Sequence, residues 1–421
     1  MKATEIFTPG VIPSYTYCER EDKGIAKRLL EAIDTEGTIT CVFGPSKSGK
    51  TVLCEKVIGQ GRIVSVTGGS AQSEKDFWLA LRRKLSLPDS QTKSTSSTGK
   101  LDAGIEGGGK VGIPILAGVE AKASLNAGIE KSSNAASTYE GLQGTDLLLA
   151  ASTRVIVVDD FHYIPYEKQK LLATQFKEAS YRGAKIVIVS VPHRSDDAIL
   201  ANQDLRGRVL SIEVPLWTWA ELQNIPLMGF PLLNCEIESS LLKFLVVESI
   251  FSPQLMQTLC LELCRLIDVN MSTVSQKVID LNEEQRVELL LRASKRADCD
   301  TSFALLVNAG TKPQSQKLYG LVTGDESSLN RLVLRAIGKN ELLEIPYGNL
   351  LPRIMKLIGT TGPMPTDEEI ESVLVNMDSA IKTQAGDDKV IDWNPIKRLI
   401  TILDPHFLHY LRGSDCWVKF L

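Results

Sequence analysis

No apolar run in the 421-residue chain reaches the ~18 residues that a membrane-spanning helix requires. The start, Met1-Lys2-Ala3-Thr4-Glu5, lacks the apolar core of a secretory signal, which predicts a cytoplasmic protein. Excess charge is also lacking: 47 basic against 51 acidic side chains leave −4, which argues against a chain coated in nucleic acid, although a local basic face fits within that balance. No CxxC pair occurs among the eight cysteines. Cys260 and Cys264 are helical neighbours, but no second Cys or His pair stands near to complete a zinc site, so buried thiols in a reducing compartment are expected. What is present is ordinary for a globular protein, with 43% hydrophobic and 23% charged residues. At about 150 residues per domain, the length predicts roughly three units.

The first block, residues 1–230, alternates short β-rich runs with helical stretches. Thr38–Phe43, Arg62–Val66, Arg154–Val158 and Lys185–Val189 read as strands, and Asp76-Phe77-Trp78 opens an amphipathic helix. Strands that are apolar throughout imply a parallel sheet covered on both faces, hence an α/β fold. Residues 231–300 carry leucines at three- and four-residue spacing and read as a helical lid. Residues 301–421 mix helices with a late strand pair near Val390-Ile391 and Leu399–Ile402, which reads as a winged-helix-like module. Residues 88–136 interrupt the plan. A Ser/Thr-rich linker there precedes strict period-two alternation over 103–131, which predicts an inserted β-hairpin with one apolar face.

Gly44-Pro45-Ser46-Lys47-Ser48-Gly49-Lys50-Thr51, followed by Val52, matches G-x-x-x-x-G-K-[ST] in full. Such a loop wraps backbone N–H groups around phosphate oxygens, and the helix behind it points its positive end at the anion. Lys50 then reaches the β- and γ-phosphates, and the Thr51 hydroxyl ligates Mg²⁺. The strand Val155–Val158 ends in Asp159-Asp160. Asp159 is placed to hold the magnesium through water, and Asp160 to act as base on the attacking water. Ser190-Val191-Pro192-His193-Arg194 closes the next strand, and Arg194, ahead of His193, is the candidate γ-phosphate sensor, with a surface salt bridge as the alternative. Arg206 and Arg208 form a candidate arginine finger, with solvated surface arginines as the alternative. His162 is assigned no role.

Taken with Pro13–Tyr17 and Arg20, these motifs resemble the AAA+/STAND group of P-loop ATPases. The resemblance covers residues 10–270 well and the remainder loosely. It implies ATP and Mg²⁺ as ligands, Tyr17 and Arg20 at the nucleotide, and Pro253 against the adenine, although Ser252 stands where the lid motif has glycine. Ile402–Phe407 and Tyr410-Leu411-Arg412 resemble the winged-helix end of bacterial ATP-binding proteins. Asp160, in place of a glutamate common in AAA+ enzymes, implies slow turnover. A homo-oligomeric ATP-driven switch or ring acting with a protein partner, in bacterial defence or regulation, is the function this implies. A DNA-handling ATPase of origin-loading or transposition type is the alternative, and a small-molecule kinase is disfavoured.

Overall fold

The computed structural model describes residues 1–70, 73–86, 144–151, 153–191, 205, 207–310, 317–358, 363–384 and 389–419. The hairpin expected at 103–131, together with His193, Arg194 and Arg206, lies outside the described residues. No helix among the described residues is long and apolar enough to cross a membrane.

Five strands form the sheet: β1 Ile39–Phe43, β2 Ile63–Thr67, β3 Val155–Asp159, β4 Lys185–Ser190 and β5 Val209–Glu213. All neighbours are parallel, in the order β2-β3-β4-β1-β5. Side chains along a strand alternate between faces, and the packing follows that alternation. Val155, Val157, Val187 and Val189 meet α2 Ile25–Asp34 and α3 Lys50–Ile58 on one face. Ile156, Val158, Ile186 and Ile188 meet α4 Glu74–Lys84, α5 Thr145–Ala150 and α6 Tyr166–Tyr181 on the other. That is why these strands carry no polar alternation. Helix α4 starts two residues before the expected Asp76, because Ser73 caps it and Asp76 closes the capping box.

Beyond the sheet the chain becomes mainly helical. It runs through α7 Trp219–Leu222, α8 Asn224–Leu232, β6 Cys235–Ile237, α9 Ser239–Glu248, α10 Pro253–Leu266, β7 Lys277–Ile279 and α11 Glu283–Ser294. The parallel pair β6–β7 was not expected, since three residues are too few to show a period. Helix α10 is buried on every side from Leu255 to Cys264, so Cys260 and Cys264 are core side chains.

The C-terminal part contains α12 Asp300–Val307, β8 Leu318–Gly320, β9 Glu326–Ser328, α13 Leu329–Gly338, β10 Glu344–Pro346, α14 Tyr347–Ile358, α15 Asp367–Gln384, β11 Ile391–Asn394, β12 Leu399–Ile402 and α16 Pro405–Gly413. The late strand pair is a three-stranded antiparallel sheet, β10-β12-β11, which with its helices forms the winged-helix-like module. One hydrophobic core runs through all of this helical half, and it includes Ala3, Ile6 and Phe7 from the other end of the chain.

Candidate functional site

Strand β1 delivers the chain to the loop at residues 44–49, and α3 starts at Lys50. Gly44 is required by space: a Cβ there would stand 2.2 Å from the Val214 carbonyl oxygen. Gly49 is required by conformation, with φ +90°. Lys47 is also left-handed, at φ 60°. Left-handed residues at these positions turn successive N–H groups into one concavity, the geometry of an anion nest. Lys50 is 8% exposed, and its ammonium donates to the carbonyls of Gly44 at 3.0 Å and Pro45 at 2.7 Å. Burial pulls its pKa down to about 8, against the opposing pull of Asp159 and Asp160.

The Thr51 hydroxyl donates to Asp159 Oδ2 at 2.8 Å, so the loop and the acidic strand end meet across 108 residues of sequence. Asp159 Oδ1 accepts from the Asp160 N–H at 3.0 Å. Asp160 is left-handed, at φ 53°, and leads into the tight turn Phe161–Tyr163. The sheet topology explains why these groups converge. Strand β4 lies between β1 and β3, and ligands of open parallel sheets gather at the carboxyl ends of the strands.

Ser190 closes β4 opposite Phe43, the last residue of β1. It is 1% exposed, and its hydroxyl makes no hydrogen bond among the described residues. The sequence reading looked beyond it to His193 and Arg194. A buried hydroxyl at the carboxyl edge of the sheet is a further candidate there, because burying an unpaired polar group costs about 1–3 kcal/mol.

Lys50, Thr51, Asp159 and Asp160 line a cavity of about 950 Å³ between the sheet and the helical half, with Val191 rather than Ser190 on its wall. Its sheet side holds Ser46 to Leu53, Asp159, Asp160 and His162, so the histidine left without a role sits on the wall. Its helical side holds Ile225, Pro253, Gln254 and Gln257. The segment from Thr8 to Arg20 contributes much of the remaining wall. Pro253 is the first residue of α10. Ser252, at φ −107°, caps that helix by accepting from the Leu255 N–H, so no glycine is needed there. Tyr17 lines the cavity under the Lys56 ammonium, 5.1 Å from its ring centre. Burial raises the Tyr17 phenol above its ordinary pKa, and Glu19 adds to the rise.

Arg20 lines the same cavity but is committed elsewhere. It donates to Glu221 at 2.6 Å, to the Pro215 carbonyl at 2.9 Å and to the Leu216 carbonyl at 3.0 Å, and it lies over the Trp217 ring. Burial pushes the Glu221 carboxyl up, but the bonds from Arg20 and Thr218 outweigh this and hold it below the usual range. Arg20 is therefore a fastener between the N-terminal segment and the joint leading into the helical half. Trp217 escaped the sequence reading altogether: its indole N–H donates to the Ser48 carbonyl in the loop at 2.9 Å. No motif marks such a bond across 169 residues.

Arg208 stands at the opposite end of the sheet. The Ile39 N–H donates to its carbonyl where β1 and β5 begin, five residues and so ~16 Å from the loop end. Its guanidinium lies over the Tyr181 ring at 5.7 Å. Within one chain it does not join the site.

Comparison of the sequence with protein-family models and with curated proteins gives no match. Comparison of the fold with solved structures finds a Walker-type ATPase of Pyrococcus abyssi, with a TM-score of 0.50 and 14% identity over 95% of this chain and 99% of that one. Two other likenesses are more distant. Cdc6p from Pyrobaculum aerophilum gives a TM-score of 0.42 at 11% identity over 99% of this chain and 95% of that one. The Holliday junction branch migration motor RuvB of Thermotoga maritima gives 0.38 at 13%, over 94% and 96%. With its parallel sheet, complete phosphate-binding loop, helical lid and winged-helix-like end, the chain has the fold of a P-loop ATPase.

Proposed function

We propose that this protein binds and hydrolyses ATP with Mg²⁺, and works as a slow molecular switch or homo-oligomeric ATPase on a protein partner. The Thr51–Asp159 bond at 2.8 Å carries this reading, because it joins the two halves of a nucleotide-hydrolysing site inside a cavity large enough for a nucleotide. The donor set suits magnesium: a hydroxyl and carboxylates, all oxygen, few enough that phosphates and water complete the coordination. Thr51 and Asp159 would hold the ion, which when bound supplies charge neutralisation across the β- and γ-phosphates. Lys50 leaves its loop carbonyls for those phosphates. Asp160 takes the proton of the attacking water. Ser190 offers its hydroxyl at the strand end. Arg206 and Arg208 serve the site of a neighbouring subunit. A regulatory or defence role rests on the resemblance alone.

The test is ATP turnover and calorimetric binding for the wild type, Lys50→Ala and Asp160→Asn. Lys50→Ala should bind ATP about 100-fold more weakly and show no turnover, since charged hydrogen bonds are worth about 1.5–3 kcal/mol each. Asp160→Asn should bind normally without turnover. Wild-type turnover in Lys50→Ala overturns the reading. The antiparallel sheet β10-β12-β11 supports a second reading, as a DNA-handling ATPase. Stimulation of turnover by double-stranded DNA at moderate salt separates the two.

A further inference from the structure

The loop residue Ser48 is 2% exposed and lies between two left-handed residues, Lys47 and Gly49. Its carbonyl accepts the Trp217 indole N–H at 2.9 Å. In a planar trans peptide, the C=O of one residue and the N–H of the next point in opposite directions. Holding the Ser48 carbonyl toward Trp217 therefore aims the Gly49 N–H the other way, away from the indole. We propose that Trp217 is a positioning residue for phosphate binding: through the Ser48 carbonyl it sets the direction of a loop N–H that a phosphate oxygen accepts. This deepens the nucleotide reading above and rests on it.

Trp217 is itself held firmly. It is 9% exposed, and its ring lies under the Arg20 guanidinium at 5.1 Å. The carbonyls of Pro215 and Leu216, just before it, accept from Arg20. Thr218, just after it, caps α7 in a box closed by Glu221, which also pairs with Arg20. The indole thus approaches the loop from a segment fixed on both sides, at the point where the chain leaves the sheet for the helical half. That fixity makes the peptide orientation a property of the folded protein before any anion arrives, and preorganised donors bind anions without reorganisation.

The test uses the full chain with two probes, ADP and inorganic pyrophosphate, in calorimetric titrations. Trp217→Phe keeps a ring beneath Arg20 and removes the N–H. The dissociation constants for both probes should rise about tenfold, the loss of roughly one hydrogen bond. Equal loss for both probes is the signature of a phosphate-side effect, which a general structural role would not give. Unchanged pyrophosphate affinity in the folded variant, or a loss confined to ADP, overturns the proposal. A second measurement does not need that variant to fold. The protein has five tryptophans. With 5-fluorotryptophan incorporated, pyrophosphate should shift the fluorine resonance that survives separate deletion of Trp78, Trp219, Trp393 and Trp417. A Trp217 resonance that stays still overturns the proposal. Wild-type protein that binds neither probe refutes the nucleotide reading itself, a result distinct from equal binding by wild type and variant.

Discussion

On the sheet side of the cavity, apolar side chains divide into two separate groups, one on each face of a five-stranded sheet. On the helical side a single core gathers residues from Ala3 to Cys416, across the lid helices and the winged-helix-like end. The difference sets where each half can carry chemistry. A parallel sheet covered on both faces exposes its strand ends, and the site's charged groups, Lys50, Asp159 and Asp160, stand there. A body with one continuous core has no comparable edge, and its contribution to the cavity wall is uncharged: Ile225, Pro253, Gln254 and Gln257. One half supplies charge, and the other supplies a shaped wall.

The sharpest way to break this comparison is to cut the crossing between the halves. Phe7 is fully buried, 5.0 Å ring to ring from Phe230, in the helical core, although the chain around it leads into the sheet half. Phe7→Ala should cost about 3–5 kcal/mol. In differential scanning calorimetry that loss should fall on the unfolding of the helical half, leaving the melting of the sheet half in place. An equal shift of the whole thermogram would mean that the two halves unfold as one unit.

A smaller effect separates the halves by charge. Burial holds the free Lys50 near a pKa of about 8, and phosphates in the loop favour its charged form. The bound protein then keeps the proton that the free protein releases as pH rises through about 8. ADP affinity should therefore be flat just below that pH and fall above it, by up to about tenfold per pH unit. Calorimetry in buffers of different ionisation enthalpy should record proton uptake on binding in that window. Gln257→Ala, on the uncharged wall, should weaken binding while leaving this slope unchanged. A pH slope that changes with Gln257→Ala would contradict the division of roles.

The smallest effect concerns Cys18, which lines the cavity. Burial, with the Glu221 charge behind it, pushes this thiol up to about 11. Seven other cysteines are buried, so alkylation of the native protein should be slow and confined to Cys18. ADP should slow it further, read by mass spectrometry of the labelled peptide. Labelling at the same rate with and without ADP would place the ligand away from the N-terminal segment.

What the sequence makes legible is what is local. The strand Val155–Asp159 declares itself because five consecutive residues share one environment, and the loop at 44–51 because its glycines sit at fixed offsets. The roles of Arg20 and Trp217 are illegible for the opposite reason. Each depends on a partner roughly 170 to 200 residues away, on a peptide carbonyl or a carboxylate that no spacing rule connects to it. The resemblance placed Arg20 at the nucleotide; Arg20 lines the cavity, and its guanidinium is bonded to Glu221 and two carbonyls that no motif names. Ser190 was in plain view within the strand-end motif. Its distinguishing property, a buried hydroxyl with no partner among the described residues, exists only once β4 is seen between β1 and β3. Pair β6–β7 failed to register because three residues of strand carry no periodicity.

Gln257 accepts the Thr8 N–H at 3.1 Å and donates to the Thr16 hydroxyl at 2.7 Å, while that hydroxyl donates back to the Ile6 carbonyl at 3.0 Å. One side chain on α10 thus buckles both ends of a short stretch of cavity wall. Ordering a residue's backbone costs about 1–2 kcal/mol, and for Thr8 to Thr16 that loss is already incurred when the protein folds. A ligand entering here meets a finished surface, so the fit of its outline, more than any ordering of the chain around it, decides which molecules stay.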